Sequence, residues 1–221
     1  MSPTTTTIRV PAAPGPHDTG ARRLGVVLLV LAAVAALGVG AVLAFARPAV
    51  GVPYADPLAS GRITLCDATG HPITSGSVAA APFVARAVGV THVDGPAAGA
   101  GATLYAFQPR DGAEPSEWSG QLLTGSSSFT VAAHPIAQAT VQDTSLQGFL
   151  AAYPTRWDGL VQLRLYVTTP AYGIAGHYDT VDLRVHGQTW TVVGRAGTAS
   201  CTAGEATSSE TRTLHYAPAT H

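Results

Sequence analysis

The first long feature of the hydropathy pattern is an apolar run from Leu24 to Ala46, LGVVLLVLAAVAALGVGAVLAFA, with no charge and no side-chain polar group. As a helix it would reach about 34 Å, enough to cross a hydrocarbon core of roughly 30 Å. Arg22-Arg23 precede it and Arg47-Pro48 follow it. Two arginines before and one after predict a cytoplasmic N-terminus, with the remainder outside the cell. The run reads as a single retained membrane anchor. A cleaved signal peptide is the competing reading, with Ala44-Phe45-Ala46 as a small-x-small site, although a typical signal core is only about 7–15 residues.

From Arg62 the pattern changes to short β-like runs separated by Gly and Pro. Candidate strands are Arg62–Cys66, Val84–Val88, Ala102–Gln108, Leu160–Thr168, Tyr178–Val185 and Thr189–Val193. Alternation is clearest in the fourth. There Val161, Leu163, Leu165 and Val167 point one way, and Gln162, Arg164 and Tyr166 the other, which predicts one buried and one solvated face. His186-Gly187 predicts a hairpin turn with Gly free to take positive φ, and Asp67-Ala68-Thr69-Gly70 a second turn. One helix interrupts the series: Thr144-Ser145-Leu146-Gln147 matches a capping box, Leu146, Phe149 and Leu150 form an apolar stripe, and Pro154 stops it after about two turns. The expected fold is mostly β, an antiparallel sandwich with one short helix, preceded by the transmembrane helix. An open sheet covered by that helix is the alternative.

The flanks carry little to bury. Residues 1–23, with four consecutive Thr and several Pro, are expected to form a disordered cytoplasmic tail. Residues 47–61, with Pro48, Pro53 and Pro57, read as a Pro-rich spacer. The extracytoplasmic β domain is placed at 62–201, and 202–221 is expected to be a flexible tail.

Charge narrows the partners. The formal net charge is −1, and the chain has no lysine, so all 12 basic residues are arginine. Arg9, Arg22 and Arg23 outweigh Asp18 before the apolar run, whereas the portion after it is mildly acidic. Nucleic acid is excluded, because phosphate binding needs a concentrated basic face. Cys66 and Cys201, the 2 cysteines, are expected to pair in an oxidising compartment and clamp the two ends of the domain. Free or intermolecular thiols are the other option.

The stretch Ile63-Thr-Leu-Cys-Asp67-Ala-Thr-Gly70-His-Pro72-Ile-Thr-Ser-Gly76-Ser-Val78 resembles the opening of transthyretin-like and related surface β-sandwich domains, in which a strand is followed by D-x-x-G-x-P and a second strand. It implies an Ig-like or transthyretin-like sandwich and describes a turn rather than an activity. More broadly, Gly61–Val193 is similar to a group of membrane-anchored or secreted actinobacterial proteins. The matching stretches are Ile63–Asp67, Leu104–Arg110, Glu117–Gly120 and Tyr153–Arg164. That resemblance implies export and an anchor, and no activity.

Catalytic motifs are scarce. The 8 histidines, at 17, 71, 92, 134, 177, 186, 215 and 221, never fall in H-x-H or H-E-x-x-H spacing, so no metal and no cofactor is expected. Gly125-Ser-Ser-Ser128 lacks the G-x-S-x-G elbow and reads as a flexible loop. Glu114 and Glu117 share one polar loop, and no phosphate-cradling Gly-rich turn is present. Two loops are richer. Gln108–Gly125 carries Arg110, Glu117 and Trp118, and Tyr153–Asp158 carries Arg156, Trp157 and Asp158. Aromatic, Arg and acidic residues on long loops suit a binding site for a sugar or peptide. The plainer reading is that both Trp cover the core edge. The expectation is a non-enzymatic, single-pass membrane protein whose outer module binds or scaffolds a cell-wall glycan or another envelope protein. The alternative is an anchored hydrolase with a site assembled from His134, His177, Asp143 or Asp179.

Overall fold

The computed structural model describes residues 51–209. The predicted tail at 1–23, the apolar run at 24–46 and the chain after 209 lie outside the described residues. Among the described residues no helix is long and apolar enough to cross a membrane.

In chain order the strands are β1 (Ala59–Arg62), β2 (Thr64–Cys66), β3 (Ser75–Ser77), β4 (Arg86–Val88), β5 (Gly101–Phe107), β6 (Gly120–Leu122), β7 (Ser127–Phe129) and β8 (Ile136–Gln138). Helix α1 (Leu146–Ala152) follows, and then β9 (Leu160–Thr169), β10 (Gly173–Ile174), β11 (Tyr178–His186), β12 (Thr189–Val193) and β13 (Ala206–Ser208). A large curled sheet runs β13-β7-β5-β9-β11-β12-β3, with β6, β10 and β1 attached at its margins, and β2-β4-β8 form a second sheet. Every pairing is antiparallel except β1 on β11. The architecture is mostly antiparallel β, sandwich-like, with one short helix.

The long alternating runs build the centre. Leu163 lies opposite Val181 across β9 and β11, and Leu104 opposite Leu165 across β5 and β9. These side chains share one core with Leu65, Ala87, Val88 and Ile136 of the small sheet and with Leu146 and Phe149 of α1. The helix starts one residue later than the capping box suggests, since Ser145 Oγ accepts from Gly148 N at 3.2 Å. Of its apolar stripe Leu146 and Phe149 are buried, and Leu150 packs half-buried beside them. The β11–β12 hairpin turns through Gly187, whose φ is +57°, a conformation that costs Gly little.

Five expectations need correction. The single strand Arg62–Cys66 is two strands in different sheets. The chain leaves β11 at Ile63, where Ile63 N donates to Thr180 O at 3.0 Å, and enters the small sheet at Thr64. Gly197 makes this corner possible. It donates to Ile63 O at 2.9 Å, and any Cβ there would lie 2.6 Å from the Ile63 and Thr64 backbone. The Ser-rich stretch expected to be a flexible loop holds β7, paired with both β5 and β13. β13 itself lies inside the expected flexible tail. The Pro-rich spacer is, from Tyr54 onward, part of the domain: Tyr54 and Asp56 bond to the sheet, and β1 joins it. Finally, the face of β9 expected to meet solvent is buried, with Arg164 only 2% exposed. The segment from Tyr54 to Arg62 and the 3-10 turn Pro115–Glu117 cover it.

The D-x-x-G-x-P turn forms as read, with Asp67 accepting from Thr69 N and His71 N, both at 2.9 Å. Its second strand, β3, crosses to the large sheet and pairs with β12, so the turn is a step between sheets. Cys66 and Cys201 are joined in a disulfide with a Cα–Cα distance of 5.8 Å.

Candidate functional site

The covered face of β9 concentrates the polar chemistry of the domain. Buried charges persist only when paired and hydrogen-bonded. Arg164 meets this requirement on every side. Its Nε donates to Gln162 Oε1 at 2.7 Å, and its Nη2 donates to Pro115 O at 2.9 Å and lies 3.4 Å from Asp56 Oδ2. The guanidinium also sits over Phe107 at 4.0 Å, Tyr178 at 4.8 Å and Trp118 at 5.4 Å, where the negative ring faces favour a cation. Asp56 in turn accepts from Tyr178 Oη at about 3 Å. On the neighbouring strand β11, opposite Gln162, Asp182 accepts from Tyr54 Oη at 2.7 Å and Gln162 Nε2 at 3.3 Å, and Arg62 lies 3.4 Å away. Two acids therefore face two arginines, a balanced set of charges.

Burial governs how these groups titrate. It is the largest cause holding the Tyr54 and Tyr178 phenols far above their usual range; for Tyr54 the Asp182 carboxylate adds to it, whereas for Tyr178 the Arg164 cation opposes it. Burial also raises Asp182 above the ordinary aspartate value of 3.8, against the lowering bonds from Tyr54, Gln162 and Arg62. Because the folded value is the higher one, the stability linked to this group is fully present below pH 3.8 and is lost as pH rises through the folded value. Asp182→Asn cannot ionise. Its stability relative to the parent should therefore rise as pH increases from 3.8 through the raised folded value, read as the difference between urea midpoints. A difference that stays flat across that range overturns the assignment.

Of the six residues predicted to bind a ligand, Trp118 and Trp157 lie against this cluster. Trp118 is 4% exposed. Its Nε1 donates to Ala113 O at 3.1 Å, and Tyr54 meets it edge-on at 4.7 Å. Trp157, half-buried, reaches the other side of Tyr54 at 5.6 Å. Tyr54 thus bridges the two tryptophans, and Trp118 offers no open stacking face. Arg110 donates through Nη2 to Glu117 O, and Glu117 caps the 3-10 turn through a 3.3 Å bond from Glu114 N. Arg156 and Asp158 are exposed. Asp158, at φ +48°, turns the chain into β9, a left-handed conformation that Asp tolerates better than most residues.

The proposed acid–base set gathers only in part: His177 and Asp179 line one cleft, whose lining includes neither His134 nor Asp143. Asp143 accepts from Thr140 N in its own loop and from Gly125 N in the connection between β6 and β7. His134 contacts Gly89 O at 3.4 Å. Asp179 is buried and accepts from Val90 N at 2.6 Å, Thr91 N at 2.9 Å and Thr91 Oγ1. Gly61 and Gly89 clear the space for its carboxylate, since a Cβ at either would lie within 2.3 Å of it. Asp179 thereby ties the 89–91 loop to β11. Among the described residues no ion pair includes a histidine, and no group of three His, Cys, Asp or Glu could hold a metal ion.

A second place is open. Where β9 gives way to β10 and β11, a cleft of about 400 Å³ lies between the 91–94 loop and the 172–177 segment. Leu165 and Val167 form its floor. On one wall stand His92, Val93 and Asp94, and on the other Tyr172, Ile174 and His177. Tyr172 is 77% and Ile174 67% exposed. Sequence reasoning missed this cleft. Its signal was an aromatic and an aliphatic residue in a Pro- and Gly-rich connection between the two strongest strands, where apolar side chains have no core to enter.

No known protein family, curated protein or solved structure matches the chain.

Proposed function

We propose that this chain is a binding module of the cell envelope, held on the outer side of the membrane by the Leu24–Ala46 helix and carrying out no catalysis. The observation that carries the binding reading is the open cleft. It is of ligand size, has an apolar floor and a few convergent polar groups, and shows two large apolar side chains at its rim that the fold leaves uncovered. The Cys66–Cys201 disulfide supports an oxidising compartment, in keeping with the export that the resemblance implies. The finer fold reading, an Ig-like or transthyretin-like sandwich, rests on the D-x-x-G-x-P opening and on two sheets sharing one core. The occupant belongs to the envelope, either a glycan or another protein. We place its site at the cleft rather than at Trp118, because Tyr54 and Arg164 already occupy that ring.

Co-sedimentation of the full chain in detergent micelles with isolated cell-wall material tests the proposal. Loss of an exposed aromatic anchor commonly costs more than 1 kcal/mol, so Tyr172→Ala should weaken binding about tenfold. Trp157→Ala should leave it unchanged. If Tyr172→Ala binds like the parent and Trp157→Ala does not, the site is the tryptophan edge.

A further inference from the structure

The geometry points to a neutral saccharide as the occupant of the Tyr172 cleft, an inference that rests on reading this cleft as the binding site. Charge decides the first step. The cleft lining contains no arginine, and the chain has no lysine. A phosphate, sulfate or carboxylate placed there would meet no permanently charged cation, and Asp94 on the wall would repel it. The other carboxylate, Asp179, is already taken by two backbone N–H groups and a hydroxyl.

Shape and main chain decide the second step. A peptide bound by strand addition needs a free ladder of backbone groups. The adjacent strand β10 is two residues long and is paired with β9, and Ala175 N beside it already donates to Val167 O at 2.8 Å. What the walls present instead is side chains. A pyranose has an apolar face of C–H groups and an equatorial rim of hydroxyls. The exposed Tyr172 ring offers a flat apolar surface for that face, and the Leu165–Val167 floor continues it. His92, Asp94 and His177 stand along the walls and supply acceptors and donors for hydroxyls. A site built to hydrogen-bond hydroxyls rejects apolar ligands, because its polar groups would be buried unpaired.

The experiment uses the full chain in lipid nanodiscs, titrated calorimetrically with three neutral tetrasaccharides (of β-glucose, of N-acetylglucosamine and of α-mannose) and with tetragalacturonate as the acidic counterpart. At least one neutral sugar should bind saturably. Tyr172→Ala and Asp94→Asn should each weaken that binding about tenfold, whereas Val141→Ser, at an exposed position outside the cleft, should not. Tyr172 is exposed, so its variant should keep the parent's thermal midpoint. Tyr172-dependent binding of tetragalacturonate in preference to the neutral sugars overturns the neutral assignment and leaves the cleft as a site. Tyr172-dependent sedimentation with wall material, without binding of any tetrasaccharide up to about 10 mM, overturns the saccharide and points to a protein occupant. If Tyr172→Ala alters neither measurement, the inference and the cleft reading fall together.

Discussion

Replacing both cysteines, as Cys66→Ser/Cys201→Ser, should lower the unfolding free energy by about 5 kcal/mol, a large share of what holds a domain of this size together. The two positions are 135 apart in sequence, so the bridge closes nearly the whole outer domain into one covalent ring. Its main effect in the chain-entropy description is on the unfolded state, whose ends it keeps together. The native structure retains other fasteners at the same place. Arg86 donates to Cys201 O at 3.4 Å and Gly204 O at 3.2 Å and lies 3.7 Å from Glu205. The double variant should therefore fold to the same topology with a much lower urea midpoint. A loss below about 1 kcal/mol would mean that the unfolded chain keeps these ends close without the sulfur bridge.

Arg164→Met should cost about 3–5 kcal/mol, the range for removing one partner of a buried ion pair. The arginine neutralises Asp56 and carries bonds to Gln162 and Pro115 O. Methionine fills much of the volume but leaves the buried Asp56 carboxylate without a counter-charge, held only by the Tyr178 hydroxyl and Leu58 N. Arg164→Lys should be nearly as damaging, since an ammonium cannot reproduce the planar fork that reaches three acceptors and stacks on three rings. The decisive comparison is Arg164→Met/Asp56→Leu. With both charges gone the double variant should recover a good part of the loss, which urea unfolding of all four members of the cycle would measure. A double variant as unstable as the sum of the two singles would show that the two residues act separately.

These two effects mark where the sequence could and could not be read. The long strands β5, β9, β11 and β12 are visible because period-2 hydrophobicity is a local signal. So is the helix, through its cap and stripe. Strands β3, β7 and β13 are three residues each and rich in Ser, Gly and Thr. Their own propensity is poor, and only partners far along the chain make them strands. The Tyr54–Arg62 segment was misread for the same reason. Nothing near Pro53 and Pro57 shows that Tyr54 and Asp56 will find Asp182 and Tyr178 more than 120 residues later. That omission also produced the misreading of β9: Gln162 and Arg164 look like a solvated face until something is known to cover them. Trp118 and Trp157 were read on two separate loops, and nothing in the sequence connected either to Tyr54, which lies between them. The open cleft went unseen because its two halves, 91–94 and 172–177, are joined only by the fold.

The sulfur bridge also sets how the domain responds to mechanical load. Tension applied between the two chain ends passes from Cys66 directly to Cys201, so the residues between them carry none of it. Only the short arms outside the bridge can be peeled: the Tyr54 strap, β1 and the start of β2 on one side, and β13 on the other. The sheet centre and the Tyr172 cleft lie inside the shielded loop. A tug on either end in an oxidising envelope therefore strips the margins and leaves the cleft in shape, while in a reducing one the whole sheet becomes extensible.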